Sequence, residues 1–559
     1  MKKQKGITLI GLVVTIIILL ILAGVTVMTL TGDNGLLTKA GETKNTSEKG
    51  EIEEQIKLAY NEWKLKKETG EITELKYVEE NRLRQKYGDN ATVNKQGKSI
   101  IINVKGYEFT LVDDGTMEEG KLAYLDIADG NIDLYSNGYK QYTGNLQGLN
   151  KNGATAYTGK YIITGTTTEN VVRVCDEGTF DLTIKNLNID VSEKSRTCAF
   201  NANRGGRQTG CYVKTTLEGK NNLSGGSAPG LGFTNATPNV NGVTNGSTLT
   251  IEGNGYLVAK ASGYSAAIGA GYTGFESSAG QVSNIIINSG NITADQTGGH
   301  GTGIGGGLYG KVNNIIINGG NIIAKGAGYG AGIGTAYSSA DNIKINGGNI
   351  NSNGISGGYN GTIGRVEING GNINVSNSYG QGAIGSYNLS QSGLIKITGG
   401  NINATSSIGD KIQNIVIEGG VLNIVSTSRS GICCKEGGSI SITGGNILAR
   451  GNNNLNIATY EEETSNLVAY TPTNGSSNIY ETPIKLDGVA EGKQITKLTT
   501  SDNIEYGIKD MYTLEDGMLY LYLPTGTRTI TITTEDGKTY SGTVETKETS
   551  ETATLTQIN

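Results

Sequence analysis

Proline is nearly missing: five residues in 559, about 1% against a usual ~5%. No Gly-X-Y period runs through the chain, so collagen and proline-rich linker architectures are excluded. Cysteine is also sparse at five, and no Cys-x-x-Cys pair occurs. A disulfide-dense scaffold and a zinc module are both excluded. There is one histidine and one tryptophan. Charge of either sign is low, with 46 basic against 52 acidic residues and a net charge of −6. A basic nucleic-acid surface is therefore not expected. What is abundant is glycine, at 86 residues. Much glycine with little proline suggests many tight turns between strands whose N–H groups are all paired.

Charge is unevenly placed. Residues 41–120 carry 30 charged side chains, whereas residues 251–450 carry only 18. A domain boundary must lie between these compositions. The N-terminus has its own pattern. Met1–Gly6 holds three lysines, and Ile7–Leu30 follows without a charge. Twenty-four helical residues span about 36 Å, enough for a bilayer core of ~30 Å. Lysines before the span and none directly after keep the N-terminus cytoplasmic and the bulk outside.

The junction Gly6-Ile7-Thr8-Leu9-Ile10-Gly11 resembles a type IV prepilin leader. The resemblance implies cleavage after Gly6 by a prepilin peptidase and methylation of the new N-terminus at Ile7. Gly11 stands where that family carries a glutamate thought to pair with a neighbouring subunit, so incorporation among other pilin subunits is left open. Beyond it, Ile52, Ile56, Tyr60 and Trp63 fall on one face of a charged helix. A second helix is expected over Ile72–Tyr87, then a hairpin of Ser99–Val104 and Tyr107–Val112. These make a reduced pilin-like head.

Internal repeats determine the next region. A unit of alternating apolar residues, then Gly-Gly-Asn-Ile, recurs as Ile315–Ile322, Ile343–Ile350, Val366–Ile373, Ile395–Ile402 and Ile440–Ile447, on average about every 27 residues. The alternation is that of strands with one buried face. A second inward element is read at Ile268, Ile304, Ile333, Ile363 and Ile384. The expected fold is mainly β, a right-handed parallel β-helix solenoid with an N-terminal transmembrane helix and a small C-terminal β-sandwich. Equivalent residues then stack at ~4.8 Å. Asn291, Asn321, Asn349, Asn372, Asn401 and Asn446 should form a structural ladder broken at Val421. Two tyrosine files flank the second inward strand: Tyr264, Tyr329, Tyr359 and Tyr379 with His300, and Tyr272, Tyr309, Tyr337 and Tyr387. Exposed, such rings offer flat faces to successive sugars; otherwise they stack on each other and shield the turns.

Residues 125–450 also resemble bacterial surface β-helices described as carbohydrate-binding. The resemblance rests on Tyr157–Thr166, Leu217-Glu218-Gly219 and the Ala-Ile-Gly rungs. It implies polysaccharide recognition, with calcium as an aid to it. No acidic cluster dense enough for a calcium site stands in the rungs, so no cofactor or metal site is assigned. No close carboxylate pair emerges for glycoside hydrolysis, and Gly299-His300-Gly301 lacks the partners of a polygalacturonase site. No catalytic residue is assigned, and the chain is not expected to be an enzyme.

Cys175 and Cys211 fall near one early rung and, if stacked, can form a disulfide. Cys433 and Cys434 should point to opposite faces, burying one at most. The organisation expected is a leader at 1–6, a membrane or pilin-like helix at 7–30, a stem and head at 31–117, and the β-helix at 118–458. A linker at 459–483, a small β domain at 484–544 and a flexible tail at 545–559 follow. The function expected is a pilin-like protein, anchored in the bacterial membrane or displayed at the surface or pilus, that binds plant or bacterial polysaccharide. A minor pilin that binds a protein and a polysaccharide lyase or hydrolase are the alternatives.

Overall fold

A computed structural model describes residues 36–71, 73–96, 98–120, 122–148, 151–203, 210–233, 247–272, 281–376, 382–386, 393–461 and 466–559. Gly6, Ile7, the apolar run 7–30, Tyr379 and Tyr387 lie outside them. Among the described residues no helix is long and apolar enough to cross a membrane. The chain divides into two compact units, Met1–Tyr124 and Leu125–Asn559.

The first unit starts with a long helix, Leu36–Glu68. Ile52, Ile56, Ala59 and Trp63 recur at helical spacing and are all buried. A second helix, Leu75–Tyr87, ends at Gly88 with φ 59°. Glycine reaches this conformation without a Cβ penalty. Four antiparallel strands follow: Ala91–Gln96, Ser99–Val104, Tyr107–Val112 and Met117–Glu119. Lys105 and Gly106, both at positive φ, turn the central hairpin. Leu75, Val78, Leu83, Ile102, Phe109 and Leu111 close the core around Trp63.

The second unit is mainly β, in long parallel sheets. Each repeat adds one strand to each of three stacks. Lys311–Ile317 pairs in parallel with Ser339–Ile345 and on to Thr362–Ile368, with like residues in register. After the Gly-Gly bend, Asn321–Lys325, Asn349–Ser352, Asn372–Val375 and Asn401–Ala404 form the second stack. The third stack passes through Ile304–Leu308, Ile333–Ala336, Ile355–Ser356, Ile384–Ser386 and Ile408–Asp410. Columns of Ile315, Ile343, Val366 and Ile395, and of Ile322, Ile350, Ile373 and Ile402, are almost wholly buried. Each such side chain contributes roughly 2 kcal/mol of apolar burial. The second bend glycines, Gly320, Gly348, Gly371 and Gly400, all sit at φ 95–98°.

One register differs from expectation. Ile355, not Ile363, continues the third stack between Ile333 and Ile384. Ile363 instead pairs with Ala340 in the first stack. The rung is shortened: only Asn353 and Gly354 join Ser352 to Ile355, whereas seven residues join Lys325 to Ile333.

The third stack belongs to a fifteen-stranded sheet that closes at both ends with antiparallel strands. Asn131–Tyr135 pairs antiparallel with Gly138–Tyr142 at one end. Leu467–Ala469 pairs antiparallel with Ile457–Tyr460 at the other. The segment expected as a linker thus supplies a closing strand, and also the start of Ser477–Leu486. The expected flexible tail is likewise corrected. Ala553–Gln557 pairs in parallel with Ser477–Leu486 and buries Leu555 completely in the C-terminal core.

The cysteines also depart from expectation. Cys211 aligns with Gly178 rather than Cys175, and all five cysteines are buried, none of them in a disulfide. Cys433 and Cys434 are both buried. The turn at Gly438 lies against Cys434, where an added Cβ would be 3.1 Å from the Cys434 Cβ. Burial pushes the Cys433 thiol up to about 12 and that of Cys434 to about 11.

Candidate functional site

Seven rings gather beside the third stack, three just before its strands and four just after them. Four-residue steps set them there: Tyr264 precedes Ile268 by four residues, as His300 and Tyr329 precede Ile304 and Ile333. His300 lies stacked between Tyr264, at 5.8 Å, and Tyr329, at 4.1 Å. Tyr329 also meets Tyr359 at 4.8 Å. Tyr272 packs edge-on against Tyr264, and Tyr337 joins Tyr309, Tyr329 and Tyr359. By register Tyr359 lies four residues past Ile355, so it belongs with Tyr272 and Tyr337 rather than with Tyr264.

This packing changes what the rings can offer. Stacked along the direction in which rungs repeat, His300 and Tyr329 have each ring face taken by a neighbour. Edges and hydroxyls remain for solvent. Tyr264 ends the stack and is 40% exposed. The expected row of open faces, one sugar per rung, is therefore a closed pile with one open end. His300 Nδ1 accepts the Tyr329 backbone N–H at 3.3 Å, which fixes the imidazole in the pile.

Next to this pile runs a groove of about 500 Å³. The loop carrying Tyr329 leaves the second stack at Gly326, which forms part of its wall. Asn353 pins that loop by two hydrogen bonds of 2.8 Å to the Gly326 backbone. The floor is the outward position two residues beyond the asparagine ladder: Ile323, Asn351, Asn374 and Asn403. Asp295 and Lys325 stand toward one end. Five rungs contribute, a length of about 19 Å at ~4.8 Å per rung. Sequence reading passed over these residues, although the signal was present. They are outward positions on strands whose neighbours are ladder amides, and Ile323 is a large apolar side chain left 41% exposed.

The asparagine ladder itself runs through Asn291, Asn321, Asn349 and Asn372. Each amide donates to the one before it, at 2.8–3.0 Å. Asn401 continues the register and Val421 interrupts it. Asn446 returns to the column position, but its side chain is buried and serves another purpose. It donates to Tyr512 O and Met518 O and accepts from the Tyr520 N–H, tying the last rung to the C-terminal domain. A second ladder, unforeseen, precedes the bend at Asn288, Asn318, Asn346 and Asn369, with steps of 2.7–2.9 Å.

Carboxylates on the outer faces are drawn into ion pairs. Glu252 meets Lys214 at 2.8 Å, and this pair holds its pKa down. Glu418 meets Lys396 at 2.9 Å, and Glu367 meets Lys344 and Arg365. Among the described rung acids Asp410 is the one pushed upward, by burial, and Arg429 holds it in place. The calcium implied by resemblance does not fit these residues. The described residues hold no group of three or more metal-ligating His, Cys, Asp or Glu side chains, and Glu252, Glu367 and Glu418 already have cationic partners.

Comparison with known proteins reaches the N-terminus alone. Residues 1–27 match the prokaryotic N-terminal methylation motif. No curated protein and no solved structure matches the chain. The motif implies processing by a prepilin peptidase, and it supports a pilin-like protein exposed at the cell surface or pilus or held at the membrane.

Proposed function

We propose that this chain is a pilin-like surface protein whose three parallel stacks form a right-handed β-helix that binds polysaccharide without cleaving it. The groove over Ile323, Asn351, Asn374 and Asn403 carries the reading. It is long and open, and its floor of neutral amides around one apolar side chain suits hydroxyl groups and the apolar ring faces of sugars. The exposed end of the ring pile at Tyr264 supplies a further aromatic contact. Adhesion or attachment to a polysaccharide follows as the role. Hydrolysis is disfavoured because it needs two carboxyl groups at ~5–10 Å with one kept protonated. Asp410, the raised acid of the rungs, is buried against Arg429.

The test is retention of the full-length chain on insoluble polysaccharides and on a glycan array. Retention that falls tenfold or more in Ile323→Glu supports the groove. Absence of retention on every polysaccharide refutes the reading. Release of reducing ends or unsaturated products would assign an enzyme instead.

A further inference from the structure

The two glycines of each bend have different needs. The second sits at positive φ in every rung from Gly320 to Gly445, a conformation that favours glycine. The first does not. A Cβ at Gly319 or Gly347 would meet one carbonyl oxygen of the preceding rung, at 3.0 and 3.1 Å, and nothing else within 4 Å. Ser289 stands at this position in the rung before Gly319. Backbone geometry alone therefore does not call for the first glycine.

The last three rungs show a use for it. Segment Tyr506–Asp510 of the C-terminal domain lies along their bends as a strap. Gly445 N–H donates to Gly507 O at 2.8 Å, and Gly507 N–H donates back to Thr443 O at 2.9 Å. Gly420 N–H donates to Lys509 O at 2.7 Å. Gly400 N–H donates to the Asp510 carboxylate at 3.0 Å. A Cβ on the first glycine would strike the strap in each rung: 2.4 Å from Asp510 Oδ2 at Gly399, 3.0 Å from Lys509 O at Gly419, and 2.6 Å from Gly507 Cα at Gly444. The first glycine keeps the seat open.

The strap stops at Asn369, whose carbonyl accepts from Lys509 Nζ at 2.8 Å. The seat continues. Gly320, Gly348 and Gly371 repeat the same φ, are half-exposed, and have N–H groups that meet no acceptor among the described residues. Asn318 O and Asn346 O, in the place of Thr443 O, meet no donor among them. Donor and acceptor thus alternate along an open backbone edge, flanked by the two asparagine ladders.

We propose that the open bends at Gly319-Gly320 and Gly347-Gly348 dock an extended peptide segment of a partner protein, one bearing an acidic residue, in the manner of the strap. A peptide fits better than a glycan because it has both carbonyls for the glycine N–H groups and its own N–H groups for the asparagine carbonyls. The seat is continuous with the one the strap fills. The proposal does not rest on glycan binding, which uses the groove beside the ring pile.

The probe is a fluorescein-labelled peptide with the sequence of residues 504–512, titrated with the full-length chain in detergent and read by anisotropy. Saturable binding is expected. It should weaken at least tenfold in the Gly319→Ser/Gly347→Ser double variant, which fills the seat as Ser289 does in its own rung, with an unchanged thermal melt. Absence of binding, or equal binding by the double variant, overturns the proposal. Equal binding would place the peptide on the strap's own rungs. Binding of a uronate oligosaccharide that the double variant abolishes, with no peptide binding, would hand the seat to a glycan and also overturn it.

Discussion

Raising the pH should loosen the N-terminal unit, and the cause is one side chain. Glu79 lies on the inner face of helix Leu75–Tyr87, wholly buried. Neither carboxyl oxygen has a hydrogen-bond partner. Burial pushes its pKa from 4.5 to about 9; Arg82 opposes the rise and Glu62 adds to it. The folded unit therefore keeps the proton that the unfolded chain loses above pH 4.5. For an acid raised on folding, stability is intact below the unfolded pKa and falls by about 1.4 kcal/mol per pH unit until the folded pKa is reached. At pH 7 the loss is about 3 kcal/mol, a large part of the stability of a small unit.

Glu79→Met should recover that loss at pH 7 and retain only a small advantage at pH 4, where the carboxyl is neutral in both states. Trp63 is the single tryptophan and sits in the same core, so its fluorescence during a urea titration of the full chain reports on this unit. Surface pairs such as Glu51–Lys86, which hold glutamates below their usual pKa, act in the opposite direction as pH falls. They are common to both proteins, so the difference between wild type and variant isolates Glu79. A difference that stays constant from pH 4 to pH 8 would refute the reasoning.

Three further outcomes are expected. Asn349→Asp sets a carboxylate against the Asn321 carbonyl oxygen and removes the 2.9 Å donation; the melting transition should fall by about 1–2 kcal/mol, measured by circular dichroism. Gly334→Ala places a Cβ 1.9 Å from Ser356 O and should cost more than about 3 kcal/mol. Gly437→Ala meets nothing within 4 Å and should cost only about 1 kcal/mol for its positive φ. Arg429→Ala strands buried Asp410 and should cost about 3–5 kcal/mol; adding Asp410→Asn should restore most of it, as read by chemical denaturation.

Much of the fold could be read from the chain because its signals repeat. Ile315, Ile343 and Val366 mark one strand three times over, and the hairpin Ser99–Val104 with Tyr107–Val112 appears at those bounds. What escaped reading had no repeat behind it. The shortened rung at Ile355 shifted the register because Thr362-Ile363-Gly364 imitates the true element. Cys433 and Cys434 are adjacent on one strand, yet both are buried, with the turn at Gly438 lying against Cys434. The tyrosine spacing was legible, but not that the ring planes would lie on each other. Glu79 was legible in principle: it falls four residues from both Leu75 and Leu83, on the buried face. The strap was not, since residues 506–510 carry no motif and meet the bends 61–110 positions away in sequence.

The antiparallel strands at the two ends of the fifteen-stranded sheet have a consequence for size. Parallel stacking is open-ended chemistry, the geometry by which fibrils grow. Here Gly138–Tyr142 and Leu467–Ala469 reverse direction, and beyond the former lies only the two-residue strand Thr155–Ala156, so the parallel run is broken at each end and little edge is left for a second copy to extend. The length of the parallel stacks is thus a number written in the gene. Inserting one more repeat between these stops would lengthen them by ~4.8 Å and leave both termini as they are, making duplication of about 27 residues the natural unit by which such a spacer is lengthened or shortened.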